Sequence, residues 1–194
     1  RVGRISNVDI VRGLVMVIMA LDHVRALWSA APYAPEDVSE TTIPLFFTRW
    51  ITHFCAPVFV FLSGVSVFLY AQKKSRKDVS IFLLTRGLWL VVVEVVVISF
   101  FLQFAYQVIL LQVIWVIGWS MVLLAAFIWI PRNYLAVLAI TVVGLHNLLP
   151  DIQPATFSEY MIGMLHHTPF VIQKEGWPPV IVAYTVIPWA AVMM

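Results

Sequence analysis

Apolar runs of bilayer length recur along this chain, and most charges fall in the gaps between them. In LWLVVVEVVVISFFL, for example, Glu94 is the only ionisable residue. A helix that crosses a bilayer needs roughly 20 mostly apolar residues. Hydrophobic residues make up 62% of the 194 and charged residues 11%. Soluble globular chains hold about 45–50% apolar and roughly 25% charged residues. One soluble core cannot absorb that excess. A disulfide-stapled module is excluded within the chain, because Cys55 is the only cysteine. A net charge of +2 says little about partners, and no basic, aromatic-interleaved surface points to nucleic acid.

The expected fold class is all-α, a polytopic transmembrane helical bundle with about six spans in a single domain over 1–194. The expected spans are Val8 to Trp28, Trp50 to Tyr70, Val79 to Phe104, Val108 to Ile130 and Tyr134 to Leu149, with a last one from Val180 to Met194. The chain opens at Arg1 without an initiator Met and closes inside an apolar run, so both ends read as cuts. The short linker near Ala105 to Gln107 predicts an antiparallel hairpin of the third and fourth spans. Gly64, in FVFLSGVSVF, predicts close helix packing.

Charge orients the bundle. Lys73, Lys74, Arg76 and Lys77 fall in one loop, and Arg1, Arg4 and Arg132 fall on the same side by alternation. The opposite side receives Glu36, Asp37, Glu40, Asp151, Glu159 and Glu175. The Lys/Arg bias predicts that the first side, with the N-terminus, is cytoplasmic. The outer loops are rich in proline (Pro32, Pro35 and Pro44, then Pro150, Pro154, Pro169 and Pro178), and Thr156 to His167 predicts a short interfacial helix.

Ionisable groups within spans usually face a bundle interior or a wet cavity. Asp9, Arg12, Met16, Met19 and His23 share one stripe of the first span. Asp22 and Arg25 are three apart and can pair. His53 follows Arg49 by about one turn, and His146 with Asn147 closes the fifth span, so His23, His53 and His146 are expected at one depth. A neutral imidazole can take a proton near pH 7 and return it. Asp22 is a candidate to orient such a ring, and Arg25 or Arg49 to hold an anionic group. Each also has a plainer reading, as packing, helix-end or ion-pairing residues. Glu94 is expected to pair with Arg12 or Arg86 or to line a cavity. His166 and His167 read as surface residues. There is no P-loop, no G-x-S-x-G and no H-E-x-x-H, so no metal is expected.

Several ordered blocks carry a resemblance: RISNVDIVRGLVMVIMALDHVR, ITHFCAPVFVFLSGVSVFLY with a basic loop after it, LQVIWVIGWSMVLLA, GLHNLLPDI and YTVIPWAAVM. Together they cover nearly the whole chain. They resemble the DUF1624/YeiB-like bacterial membrane proteins, which are related to the catalytic domain of heparan-alpha-glucosaminide N-acetyltransferase in the transmembrane acyltransferase superfamily. Members are longer, so the chain resembles their N-terminal half.

The resemblance implies a multi-pass enzyme of the bacterial inner (plasma) membrane. It would move an acetyl or other acyl group from cytoplasmic acetyl-CoA or another acyl-CoA to an amine or hydroxyl outside. The implied partners are the lipid bilayer, the acyl-CoA and a glycan or other small polar acceptor; a homodimer is open. His23 best matches the catalytic base, with Asp22 or His53 to tune it. Arg25, Arg49, His146 and Asn147 would bind the acceptor or the developing oxyanion. Arg12, Lys73, Lys74 and Arg86 would meet the phosphates of coenzyme A. The outer loop SAAPYAPEDVSETTIPLFFTRW holds no histidine, which departs from the lysosomal enzyme. The rival classes are a small-solute transporter, which would also place titratable groups in helices, and a non-catalytic membrane scaffold.

Overall fold

The architecture is a computed structural model that describes residues 6–29, 34–101, 104–149, 156–166 and 169–194. Arg1, Arg4, Pro32, Pro150, Asp151, Pro154 and His167, invoked above, lie outside those residues. The chain divides into two compact units, Arg1–Leu62 and Ser63–Met194.

The first unit holds α1 (Ser6–Trp28), α2 (Ile43–Thr52) and the start of α3 (Cys55–Ala71). Thr42 is extended before α2, and Pro44 sits in its first turn, where a missing N–H costs nothing. The α2–α3 junction is a turn at His53 and Phe54. Pro57 cannot donate to the carbonyl four residues back, so the helical ladder breaks there and resumes as α3. The second expected span therefore starts seven residues early, at Ile43, and α2 with α3 forms a 29-residue apolar path to Ala71.

In the second unit, α4 (Arg76–Val92) begins at a serine N-cap. Ser75 Oγ accepts from the Asp78 N–H at 3.2 Å and donates to Asp78 Oδ2 at 2.7 Å. The helix runs on through a π-helical turn (Val93–Ile98) and α5 (Ser99–Phe101), giving a mostly apolar path of 26 residues to Phe101. Next come β1 (Ile109–Leu111), α6 (Val113–Phe127), α7 (Arg132–Leu145) and a 3-10 turn (His146–Leu148). Then come α8 (Phe157–His166), β2 (Phe170–Ile172), β3 (Val180–Val182) and α9 (Val186–Met193). The short helix expected after Thr156 is α8, with Thr156 and Glu159 forming a capping box at its start.

The expected antiparallel hairpin is the α4–α6 pair. A Cβ on Gly87 would lie 2.6 Å from the Gly118 carbonyl oxygen, and one on Gly118 2.7 Å from that of Gly87. Two glycines thus let the backbones touch, and Ser80 Oγ donates to the Ala125 carbonyl at 2.8 Å further along. Gly64 meets α9 as expected: a Cβ there would overlap the Met193 carbonyl.

Two expectations need correction. The fold is mostly helical but not all-α. The strands form one sheet of order β1-β3-β2, with β1 parallel and β2 antiparallel to β3. ILL and VIV are short and apolar, so they read equally as parts of the fourth and sixth spans, whereas FVI lies in the expected second outer loop. Nor are six spans present by length. Among the described residues, two helical paths are long and apolar enough to cross a bilayer, Ile43–Ala71 and Arg76–Phe101. The first expected span, α1, has 23 residues but carries Asp9, Arg12, Asp22 and Arg25. The fourth gives its start to β1 and leaves 15 residues to α6, the fifth leaves 14 to α7, and the sixth gives its start to β3 and leaves 8 to α9.

The sheet roofs an apolar core of Leu111, Trp115, Val116, Val182 and Val186. One edge of β1 faces β3; the Ile109 N–H donates to the Pro179 carbonyl at 2.9 Å. The other edge has no strand, and side chains of the π-turn replace it. Ser99 Oγ accepts from the Leu110 N–H at 3.3 Å, and Glu94 Oε1 from the Gln112 N–H at 3.1 Å. Buried backbone donors need partners, and the π-turn supplies both.

Candidate functional site

In the first unit a polar cluster forms between α1 and α2. Asp22 sits near the C-terminal end of α1, with Arg25 one turn further along. Arg25 Nη2 donates to Asp22 Oδ1. From α2, Thr52 Oγ1 donates to the same oxygen at 2.7 Å, and Arg49 Nη1 approaches Oδ2 at 3.4 Å. Arg49 also donates through Nε to Glu36, in the loop before α2. Two guanidinium groups and two carboxylates therefore balance in one site. The Asp22 side chain is 20% exposed and that of Arg25 16%. Arg25 Nη1 is buried with no hydrogen-bond partner among the described residues. The Arg49 hydrogen bond holds the Glu36 carboxyl below the usual carboxylate range, against a smaller opposing effect of partial burial. In the same loop the Ser39 hydroxyl and N–H hold Asp37 low as well.

His23 is not in that cluster. It is exposed, and its Nδ1 lies 2.8 Å from the Met19 carbonyl, one turn back on α1. A carbonyl can only accept, so Nδ1 carries the proton and Nε2 the lone pair. Asp22 was expected to orient this ring, but its oxygens are turned to Arg25, Arg49 and Thr52, and the main chain orients His23 instead. His53 is exposed at the C-terminal end of α2. Arg12 donates to the Leu62 carbonyl at 3.2 Å. Thr52 and Glu36 were missed in the sequence, where nothing local marks a threonine or a loop glutamate thirteen residues before its arginine.

In the second unit, His146 Nδ1 meets the Val143 carbonyl at 3.2 Å and takes the same tautomer; Asn147 is exposed beside it. Glu94, expected to pair with Arg12 or Arg86, instead accepts from the Gln112 N–H. It is 1% exposed, and its Oε2 has no partner among the described residues. Arg86 stacks over Phe82, 5.1 Å from the ring centroid. Lys73 is exposed on the α3–α4 turn. Next to it a pocket of about 170 Å³ opens, lined by Lys74, Arg76 and Arg132 around apolar walls that include Leu124 and Met193. Arg76 Nη1 donates to the Trp129 carbonyl at 3.2 Å, and Arg132 lies 5.0 Å from the Phe68 ring centroid. The sequence marks Arg76 and Arg132 as topology signals, but only packing brings them together. Among the described residues no group of three or more His, Cys, Asp or Glu is placed to hold a metal ion.

No curated protein matches the chain, and no solved structure does. The family model described as heparan-alpha-glucosaminide N-acetyltransferase, catalytic, matches residues 4–194. The chain belongs to that family, and membership implies an acyltransferase.

Proposed function

We propose that this chain is the catalytic part of a multi-pass membrane acetyltransferase, with acetyl-CoA or another acyl-CoA as donor and an amine or hydroxyl, on a sugar or similar small polar molecule, as acceptor. The observation that carries this reading is His23. Its Nδ1 is committed to the Met19 carbonyl, which leaves Nε2, on an exposed ring, as the base. A general base must reach the acceptor proton within hydrogen-bond distance in the bound complex. His23 Nε2 would take that proton as the acceptor attacks the thioester carbonyl, and return it to the departing thiolate. Arg25 and Arg49, both held by Asp22, the residue before His23, would be the donors to an acceptor or to charge developing on the carbonyl oxygen. His53, His146 and Asn147 remain candidates for the acceptor side. Asp22 acts through the arginines rather than on His23.

The donor's phosphates would meet cations of the basic turn. Lys73 and Lys74 are exposed there, whereas Arg12 is engaged with Leu62 and Arg86 lies over Phe82. This reading places the N-terminus and the basic turn in the bacterial cytoplasm, with the acceptor outside. The full natural chain, purified in detergent and given labelled acetyl-CoA with a panel of amino sugars and glycans, tests it. Label on an acceptor is the expected result. No thioester turnover together with no coenzyme A binding would overturn it in favour of a transporter.

A further inference from the structure

The pocket beside the α3–α4 turn has a chemistry of its own. Its polar lining is cationic: Lys74, Arg76 and Arg132. Among the described residues, none of the three has a carboxylate within ion-pair distance. The nearest acid in sequence, Asp78, is occupied as the partner of Ser75 in the α4 cap. Behind the cations the walls are apolar, from α3, α6 and the end of α9, including Val67, Leu124 and Met193. The pocket is an open cleft of about 170 Å³, with its cations at one part of the lining and aliphatic side chains at the rest.

Position favours an amphiphile. The two bilayer-length paths of the described chain end and begin here, at Ala71 and Arg76. Trp129 and Tyr134 stand exposed next to the pocket residues, at 54% and 71%. Tryptophan and tyrosine mark the headgroup level of a membrane, and basic pockets between membrane helices take anionic headgroups. A phosphate needs cations, an acyl chain needs an apolar wall to lie against, and the cleft offers both at the level where a lipid carries both.

We propose that Arg76 and Arg132, in the lining of this pocket, bind the phosphate of an anionic phospholipid, with the first part of one acyl chain along the apolar walls. The chemistry recognised, a phosphate ester on a flexible chain, is shared with acyl-CoA. The pocket offers no carboxylate or amide side chain for a nucleobase, which favours the lipid.

The test uses the full natural chain in detergent, titrated with short-chain phosphatidylglycerol or phosphatidylcholine and read by native mass spectrometry. Phosphatidylglycerol should bind at least about tenfold better than phosphatidylcholine. Arg76→Gln with Arg132→Gln should abolish that preference, and Leu124→Trp, which crowds the apolar walls without touching a charge, should weaken binding of phosphatidylglycerol. Thermal melts check folding; if the double variant fails to fold, each single variant should show part of the loss. Equal binding of the two lipids, a preference that survives the arginine variants, or phosphatidylglycerol binding unchanged by Leu124→Trp would overturn the proposal. So would full displacement of phosphatidylglycerol by coenzyme A, which would assign the pocket to the donor. The readout needs no turnover, so failure of the acyltransferase reading leaves it intact.

Discussion

Asp22 and Glu94 are both carboxyl groups set deep in long helices, and they are treated in opposite ways. Asp22 keeps 20% of its side chain exposed and collects three donors, two of them guanidinium groups. Glu94 is 1% exposed and collects one, the Gln112 N–H. The first carboxylate works through charge. It holds Arg25 and Arg49 on neighbouring elements and leaves a guanidinium edge of Arg25 unspent. The second works through geometry. It substitutes for a missing strand at the edge of β1 and needs an acceptor oxygen, not a charge. The contrast separates a charged cluster with a guanidinium edge left over from a group that completes the fold.

Charge-removing substitutions should break the two residues differently. The largest effect is expected for Asp22→Ala, which strands two arginines and a threonine. Breaking a buried pair costs about 3–5 kcal/mol, and partial exposure here reduces that to about 2–3 kcal/mol. Asp22→Asn should cost nearly as much, because it removes the counter-charge of Arg25 and leaves Arg49 with Glu36 alone of its two carboxylates. Thermal melts in detergent measure both; a mild asparagine variant would show that hydrogen bonding, not charge, holds the cluster.

Glu94→Leu comes next, at about 1–3 kcal/mol, the cost of leaving a buried N–H without an acceptor. Glu94→Gln keeps an oxygen for the Gln112 N–H and should melt closer to wild type than the leucine variant. Equal losses would mean that Glu94 does not act through the β1 edge.

The smallest effect belongs to Glu36, whose side chain is 54% exposed. Arg49 holds its carboxyl low, so its contribution is present above the usual carboxylate range and fades as pH falls through its folded value. An exposed pair of this kind contributes about 0–1 kcal/mol. Glu36→Gln should therefore lose less melting temperature than wild type between about pH 7 and about pH 3. An acid response equal to that of wild type would remove Glu36 from the cluster's electrostatics.

Much of the helical frame was legible, because long apolar runs have few alternatives. α1, α7 and the path from α4 through α5 fall within a few residues of the expected spans, α3 ends where the second span was expected to end, and Gly64 packs as its small-residue context implies. The strands were not legible: a three-residue apolar strand inside an apolar run has no periodicity of its own. Gly87 and Gly118 look ordinary until two helices lie side by side. In the candidate site the Asp22–Arg25 pair followed from helical spacing, whereas Thr52 and Glu36 needed the turn that brings α2 against α1. His23 was singled out by its depth and neighbours, but its orientation comes from the Met19 carbonyl, a main-chain group that no side-chain pattern announces.

The most direct measurement compares acetyl transfer by wild type and His23→Ala, with the full natural chain and saturating acceptor. General-base loss typically costs about 10²–10⁴-fold. The variant should fold normally and bind coenzyme A as wild type does, with kcat at least about 100-fold lower. Transfer at the wild-type rate by a folded His23→Ala protein would contradict the assignment of His23 Nε2 as the base.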